Sequence, residues 1–113
     1  MPHCIIEFSK DLESQLTPPA LVNAVHQGAL ASELFEASHI KTRAVAYDYF
    51  QVGAEQSNFI HVTVRLHQGR TVAQKKMLSS TIIERLADTG LSAVVITVEA
   101  VDIETESYTK RIV

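Results

Sequence analysis

The sequence predicts an α/β (α+β) fold in which two tandem β-α-β units share one four-stranded mixed sheet, with both helices on one face. Three observations lead there. Segments rich in Val, Ile and aromatic residues, with strand character, fall near 3–9, 39–50, 59–66 and 93–103. A stretch of helical periodicity separates the first from the second, and another separates the third from the fourth. Each of these stretches is long enough for a right-handed crossover between parallel neighbours. The 113 residues read as one domain, 1–113, with a pseudo-repeat of 1–57 and 58–113 and enough chain for one modest core.

The first strand starts directly behind Pro2, as His3-Cys4-Ile5-Ile6-Glu7-Phe8-Ser9. Thr17-Pro18-Pro19 opens the first helix, with Thr17 as cap and Pro18 in the first turn. Leu21, Val22, Val25, Ala29, Leu30 and Leu34 give it an apolar face. The second strand runs from His39 to Phe50, and Gln51 to Ser57, containing Gly53, is a loop. The third strand, Phe59 to Leu66, puts Ile60, Val62, Val64 and Leu66 on one face. His67-Gln68-Gly69-Arg70 is a turn, and Thr71-Val72-Ala73-Gln74 is a capping box. The helix behind it carries Val72, Met77, Leu78, Ile82, Ile83 and Leu86 on a wide apolar face and stops before Gly90. Residues 93–103 form the last strand, and the tail from Glu104 to Val113 is polar without a clear pattern. The sheet face without helices needs cover. Ala44 and Ala46 of the second strand, and Val95, Val101 and Ile103 of the last, are expected on it and point to self-association.

Composition narrows the function classes. A net charge of −3, from 10 basic and 13 acidic residues, gives no basic surface for nucleic acid or for an anionic membrane. No apolar run approaches the roughly 20 residues of a membrane span. No basic segment followed by an apolar stretch marks a secretory signal, so a cytoplasmic protein is expected. Cys4 is the one cysteine; it lies in an apolar strand and reads as a small buried hydrophobe, not a nucleophile. His3, His26, His39, His61 and His67 show no metal-ligand spacing, so no metal is expected and each histidine reads as a packing or surface residue.

Pro2 is the candidate with chemistry attached. Removal of Met1 from a Met-Pro start leaves a free secondary amine, the one form in which a proline nitrogen takes a proton. If its pKa falls toward neutrality it can act as a general base. A strand beginning at His3 would fix that amine at a sheet end. Arg70 stands at a strand-to-helix turn beside the free amides of a helix start, two features that suit an anion, although a solvated turn residue is an equally good reading from sequence alone. Lys41 and Arg43 alternate with Ile40 and Thr42, so both point to one face of the second strand. Glu7 and Arg65, within strands, read as a cross-sheet or intersubunit pair. Lys75 and Lys76 read as a solvated helix face. Tyr47, Asp48, Tyr49 and Phe50 close the second strand, as pocket wall or as packing.

The chain resembles the tautomerase superfamily, and within it the 5-carboxymethyl-2-hydroxymuconate isomerases. The residues that carry the resemblance are Pro2-His3-Cys4-Ile5-Ile6-Glu7-Phe8-Ser9, Ile40-Lys41-Thr42-Arg43 and Gly69-Arg70-Thr71. It extends to about Ile103. The second unit also resembles the short tautomerases with one unit per chain, through Gly69-Arg70-Thr71 and Gln74-Lys75-Lys76. By their spacing Phe59 falls where their proline stands, which leaves one catalytic proline per chain.

The resemblance implies a cofactor-independent isomerase, a homotrimer with sites near subunit contacts, and a small unsaturated di- or tricarboxylate substrate in aromatic-compound (homoprotocatechuate) degradation. It implies Pro2 as the catalytic base, with Arg70, Lys41 and Arg43 as substrate-binding cations. Position 41 departs from the family pattern: a lysine stands where the isomerases resemble one another in an arginine, keeping the charge but not the bidentate fork. Two alternatives stay open. One is a tautomerase for another 2-oxo or 2-hydroxy acid; the other is a non-catalytic binding protein on the same fold.

Overall fold

The computed structural model describes residues 1–113. The elements run β1 (His3–Ser9), α1 (Pro18–Ala31), β2 (Lys41–Tyr47), β3 (Asn58–His67), α2 (Val72–Ala87) and β4 (Val94–Ile103), with single 3₁₀ turns at Lys10–Ser14, Ala37–His39 and Thr105–Ser107. The four strands form one mixed sheet in the order β2-β1-β3-β4. β1 runs parallel to β2, with His3 opposite Lys41, and antiparallel to β3, with His3 opposite Arg65. β3 runs parallel to β4, with Asn58 opposite Val94. Each β-α-β unit is therefore a parallel crossover, and the units meet through the antiparallel β1–β3 pair.

Both helices cover one sheet face. Cys4, Ile6 and Phe8 of β1 and Ile60, Val62, Val64 and Leu66 of β3 are buried there against Leu21, Val25 and Ala29 of α1 and Leu78, Ile82 and Leu86 of α2. Each such large aliphatic side chain contributes about 1.5–3 kcal/mol of burial free energy. The helices start as their caps dictate. Thr17 Oγ1 accepts from the Ala20 amide at 3.4 Å, and Thr71 and Gln74 complete a reciprocal capping box. They cross closely at Gly28, where an added Cβ would lie 2.9 Å from the Cα of Ile82.

The structure corrects several sequence expectations. α1 stops at Ala31. Glu33 then takes a left-handed backbone, φ 60°, so Leu34 lies in the following turn and not on the helix. β2 is shorter than 39–50. His39 belongs to a 3₁₀ turn, and beyond Tyr47 the chain folds back so that Phe50 packs on Phe59, ring centroids 5.5 Å apart.

Ala44 and Ala46 face the helices, not the open side. Their neighbour Thr42 meets His26 of α1, with Oγ1 2.8 Å from Nδ1, and small residues on that side let α1 approach the edge strand. The open face takes Lys41, Arg43, Val45 and Tyr47 instead. On β4 the expectation holds for Val95, 49% exposed on the uncovered side, whereas Val101 is half-buried and Ile103 is already buried within the chain. On α2, Val72, Met77 and Ile83 flank the buried stripe and remain exposed. Glu7 is opposite His61, not Arg65, and accepts a hydrogen bond from the Tyr47 hydroxyl. Lys75 is not simply solvated; its Nζ lies 3.3 Å from Asp102. No helix is long and apolar enough to cross a membrane.

Candidate active site

Pro2 is placed by the sheet. Its carbonyl accepts from the Lys41 amide at 3.1 Å, which extends the β1–β2 pairing one residue beyond β1. The side chain is fully buried and forms part of the wall of a pocket of about 200 Å³. Met1, Leu34, Phe35, Glu36, His39 and Arg70 complete that wall. The pocket thus lies at one end of the sheet. The irregular stretch after α1 and the 3₁₀ turn before β2 close one side, and the turn between β3 and α2 closes the other.

Arg70 enters the pocket from that last turn. Gly69, at φ +118°, adopts a backbone that side-chain-bearing residues avoid, and Thr71 caps α2 immediately behind. The guanidinium is held on two sides. Its Nη2 donates to the Leu34 carbonyl at 2.7 Å, and its Cζ lies 5.3 Å from the centre of the Phe35 ring, within cation–π range. Those contacts use the carbonyl and the ring, and no carboxylate neutralises the charge. On the opposite wall Glu36 and His39 approach each other, Oε2 to Nε2 3.7 Å.

The terminal amine feels this surplus of cations. In this chain the amine is that of Met1. Burial holds its pKa below the ordinary α-amino value, and the charges of Arg70, Lys41 and Lys110 push it the same way. Lys41 does not line the pocket wall; its Nζ reaches Met1 Sδ, 3.9 Å away, at the mouth. Arg43 lies outside the pocket. It faces the open side of the sheet, where its Nη1 meets His3 Nδ1 at 3.1 Å.

An arginine only donates, so that His3 nitrogen accepts and the ring proton sits on Nε2, 2.9 Å from the Tyr108 hydroxyl. Burial, then Arg43, Lys41, the terminal amine and Arg65, lowers the His3 pKa and keeps the ring neutral. Burial pushes the Cys4 thiol up to about 11, which removes it as a nucleophile near neutral pH.

The structure therefore brings Pro2 and Arg70 together, sets Lys41 at the rim and leaves Arg43 on the open face of β2. Sequence reasoning missed Phe35, Glu36 and Lys110. Phe35 and Glu36 lie in an irregular stretch with no periodicity to give them a direction. Lys110 is in a tail that turns back through Thr105–Ser107 and packs Tyr108 edge-on against His67, centroids 4.8 Å apart. A lone aromatic in a polar tail was the only available signal.

The arrangement of strands and helices is shared with known proteins. It is similar to that of a 5-carboxymethyl-2-hydroxymuconate isomerase from Deinococcus radiodurans R1, with a TM-score of 0.82 at 18% identity over 97% of this chain and 88% of that one. A 5-carboxymethyl-2-hydroxymuconate delta-isomerase is similar at a TM-score of 0.81 and 18% identity, over 99% of this chain and 88% of that one. A fused 4-OT described as a wild-type symmetric trimer gives 0.75 at 18% identity, over 90% of this chain and 85% of that one. At these identities the likeness is one of fold. No curated protein sequence matches the chain. Sequence agreement comes from a family model described as 5-carboxymethyl-2-hydroxymuconate isomerase, which matches residues 2–107. The match opens on the proline at the pocket wall, includes Arg70 and its turn, and runs through the 3₁₀ segment of the tail; the chain belongs to the 5-carboxymethyl-2-hydroxymuconate isomerase family.

Proposed function

We propose that the protein is a cofactor-independent isomerase that shifts a proton within an unsaturated hydroxy or oxo acid, of the 5-carboxymethyl-2-hydroxymuconate delta-isomerase type, with Pro2 as general base. The observation that carries this reading is the burial of Pro2 in a pocket with an arginine that no carboxylate neutralises. With Met1 attached, the Pro2 nitrogen is an amide and has no basicity. With Met1 removed it becomes a secondary amine beside Arg70, where burial and cationic neighbours favour its neutral form. The neutral amine takes the acidic proton of the substrate, the O–H of a 2-hydroxy diene or a C–H beside an oxo group, and the electron pair left behind passes into the conjugated system as a dienolate. Arg70 holds a carboxylate and stabilises that charge as it develops. The prolyl ammonium then returns the proton to a carbon elsewhere in that system, and the base is regenerated.

Lys41 at the rim supplies a second cation, as a point charge and not a fork. Arg43 adds charge on the open sheet face, the side on which a neighbouring subunit would pack in a homotrimer. The reading is tested by intact mass and turnover on one sample. Protein lacking Met1 is expected to isomerise a 2-hydroxymuconate-type acid without added cofactor, while Met1-retaining or N-acetylated protein is expected to be inactive. Full activity in a chain shown by mass to keep Met1 rules the mechanism out.

A further inference from the structure

Two lysines far apart in the sequence, one opening β2 and one in the C-terminal tail, converge on one atom. The Nζ of Lys41 lies 3.9 Å from Met1 Sδ, and the Nζ of Lys110 lies 3.8 Å from the same sulfur. A thioether is a weak acceptor and cannot neutralise an ammonium. Neither lysine forms an ion pair, and Arg70 behind them forms none either. Like charges gathered without a counterion repel one another unless an anion joins them. Lys110 is not there by chance of a loose end. The tail is tied down by Thr105 Oγ1 against His67 Nδ1 at 3.1 Å and by Tyr108, whose hydroxyl meets His3 Nε2 at 2.9 Å.

We propose that the Met1 thioether occupies the position of a substrate carboxylate, and that Lys110 of the C-terminal tail, together with Lys41, binds that carboxylate and restricts the site to acids bearing two or more of them. The inference rests on the Pro2–Arg70 pocket being the active site. Arg70 takes the carboxylate nearer the proton-transfer centre, inside the pocket. The lysine pair takes a second one at the mouth. Removal of Met1 then does two things at once: it frees the Pro2 nitrogen and empties the lysine pair. The lowered pKa of the terminal amine, to which Lys41 and Lys110 both contribute, agrees with their nearness.

The test compares two inert probes with one carbon skeleton. Muconate is a six-carbon chain with a central diene and a carboxylate at each end, and sorbate is the same chain with one carboxylate. By calorimetric titration of Met1-free protein at low salt, muconate is expected to bind more tightly than sorbate. Lys110→Gln should weaken muconate about tenfold or more and leave sorbate within about twofold. Lys110→Arg should retain most of the muconate affinity, and Tyr108→Phe, which unties the tail, should lose part of it. Lys76→Gln, on the exposed face of α2, removes the same charge elsewhere and should change neither. Equal binding of the two probes by the unaltered protein, or an unchanged or parallel response to Lys110→Gln, overturns the proposal. Proton transfer is read separately, on a dicarboxylic enol at saturating concentration, which the lysine site admits. Absence of turnover with the muconate preference intact refutes the Pro2 mechanism and leaves the lysine site standing; the reverse pattern refutes the lysine site alone.

Discussion

Arg70 serves two demands that a lysine cannot meet together. Its planar guanidinium donates to the Leu34 carbonyl and lies over the Phe35 ring, yet leaves further N–H donors for an anion. Arg70→Ala is expected to raise KM for a carboxylate substrate roughly tenfold or more and to lower turnover, because a charge-assisted contact is lost. Arg70→Lys should recover little, since one ammonium cannot hold the carbonyl and the ring and still present a fork. Kinetic constants of the two variants on one substrate decide this; an Arg70→Ala enzyme with both constants unchanged would place the anion site elsewhere. The terminal amine gives a second prediction. Burial, Arg70, Lys41 and Lys110 all disfavour the protonated form of the Met1 amine; the Pro2 amine freed by loss of Met1 lies in the same pocket with Arg70, so the active neutral base is expected to persist to lower pH than an ordinary α-amino group allows. Activity is expected to rise with pH through one ionisation below about 7.7–8.0. Lys41→Gln removes one of the repelling charges, raises the amine's pKa and should move that rising limb to higher pH. A limb that stays in place, or moves to lower pH, contradicts the assignment.

At the scale of the elements, the close crossing of α1 and α2 depends on the absence of a side chain. Gly28→Ala would drive a Cβ to 2.9 Å from the Cα of Ile82. The obstacle is backbone and cannot rotate away, so the helices must separate. A loss of about 1–3 kcal/mol is expected, despite the better helix propensity of alanine, and is measurable as a lower urea midpoint. An unchanged midpoint would mean that the helices can shift at no cost. What the sequence showed of these elements, and what it did not, follows from how local each signal is. The capping box at Thr71 and Gln74, the two-residue alternation of Ile60, Val62, Val64 and Leu66, and the stripe of Leu78, Ile82 and Leu86 lie within one or two turns of chain and were read correctly. The facing of β2 was read the wrong way round. In Lys41–Tyr47 the outward positions include Val45 and the inward ones are Thr42, Ala44 and Ala46. Hydropathy alone favours burying the valine, whereas the approach of α1 favours small residues beneath it, and only the tertiary contact decides. The site divides in the same way. Pro2 and Arg70 carry their own local context of strand start and Gly-Arg-Thr turn. Phe35 reaches the pocket because Glu33 redirects the chain, and Lys110 reaches the Met1 sulfur because Tyr108 docks 105 residues away on His3; no spacing in the sequence encodes either.

The whole molecule leaves one layer of its sheet unfinished. Helices cover one face, while the other exposes Val45, Tyr47 and Val95 at 51%, 37% and 49%. These sit among Arg43, Glu7 and His61, so apolar and charged groups are interleaved on a surface that carries a short polar network. His61 Nε2 lies 2.6 Å from Glu99 Oε2, and its Nδ1 lies 2.7 Å from Thr97 Oγ1. The outer strands are β2 on one side and β4 on the other, and each leaves one row of backbone N–H and C=O groups without a partner in the sheet. Long open edges are an aggregation hazard unless something covers or pairs with them. Because the two edges differ in sequence and length, pairing one with the other on the next subunit is heterologous. Such a contact either propagates or closes into a ring. A ring of three subunits, with the open sheet faces turned toward a shared interior, meets both needs: the edges are paired and Val45 and Val95 are buried. It also puts Arg43 at a subunit contact. The expected outcome is a particle of three times the 12.5 kDa chain mass in sedimentation equilibrium at micromolar concentration. Val95→Lys, which places a charge in the middle of the proposed interior, should dissociate it while leaving the helix-covered core of each chain folded by circular dichroism. A monomer at micromolar concentration, or a Val95→Lys protein that sediments as the unaltered one does, would show that this face is finished by something other than further copies of the chain.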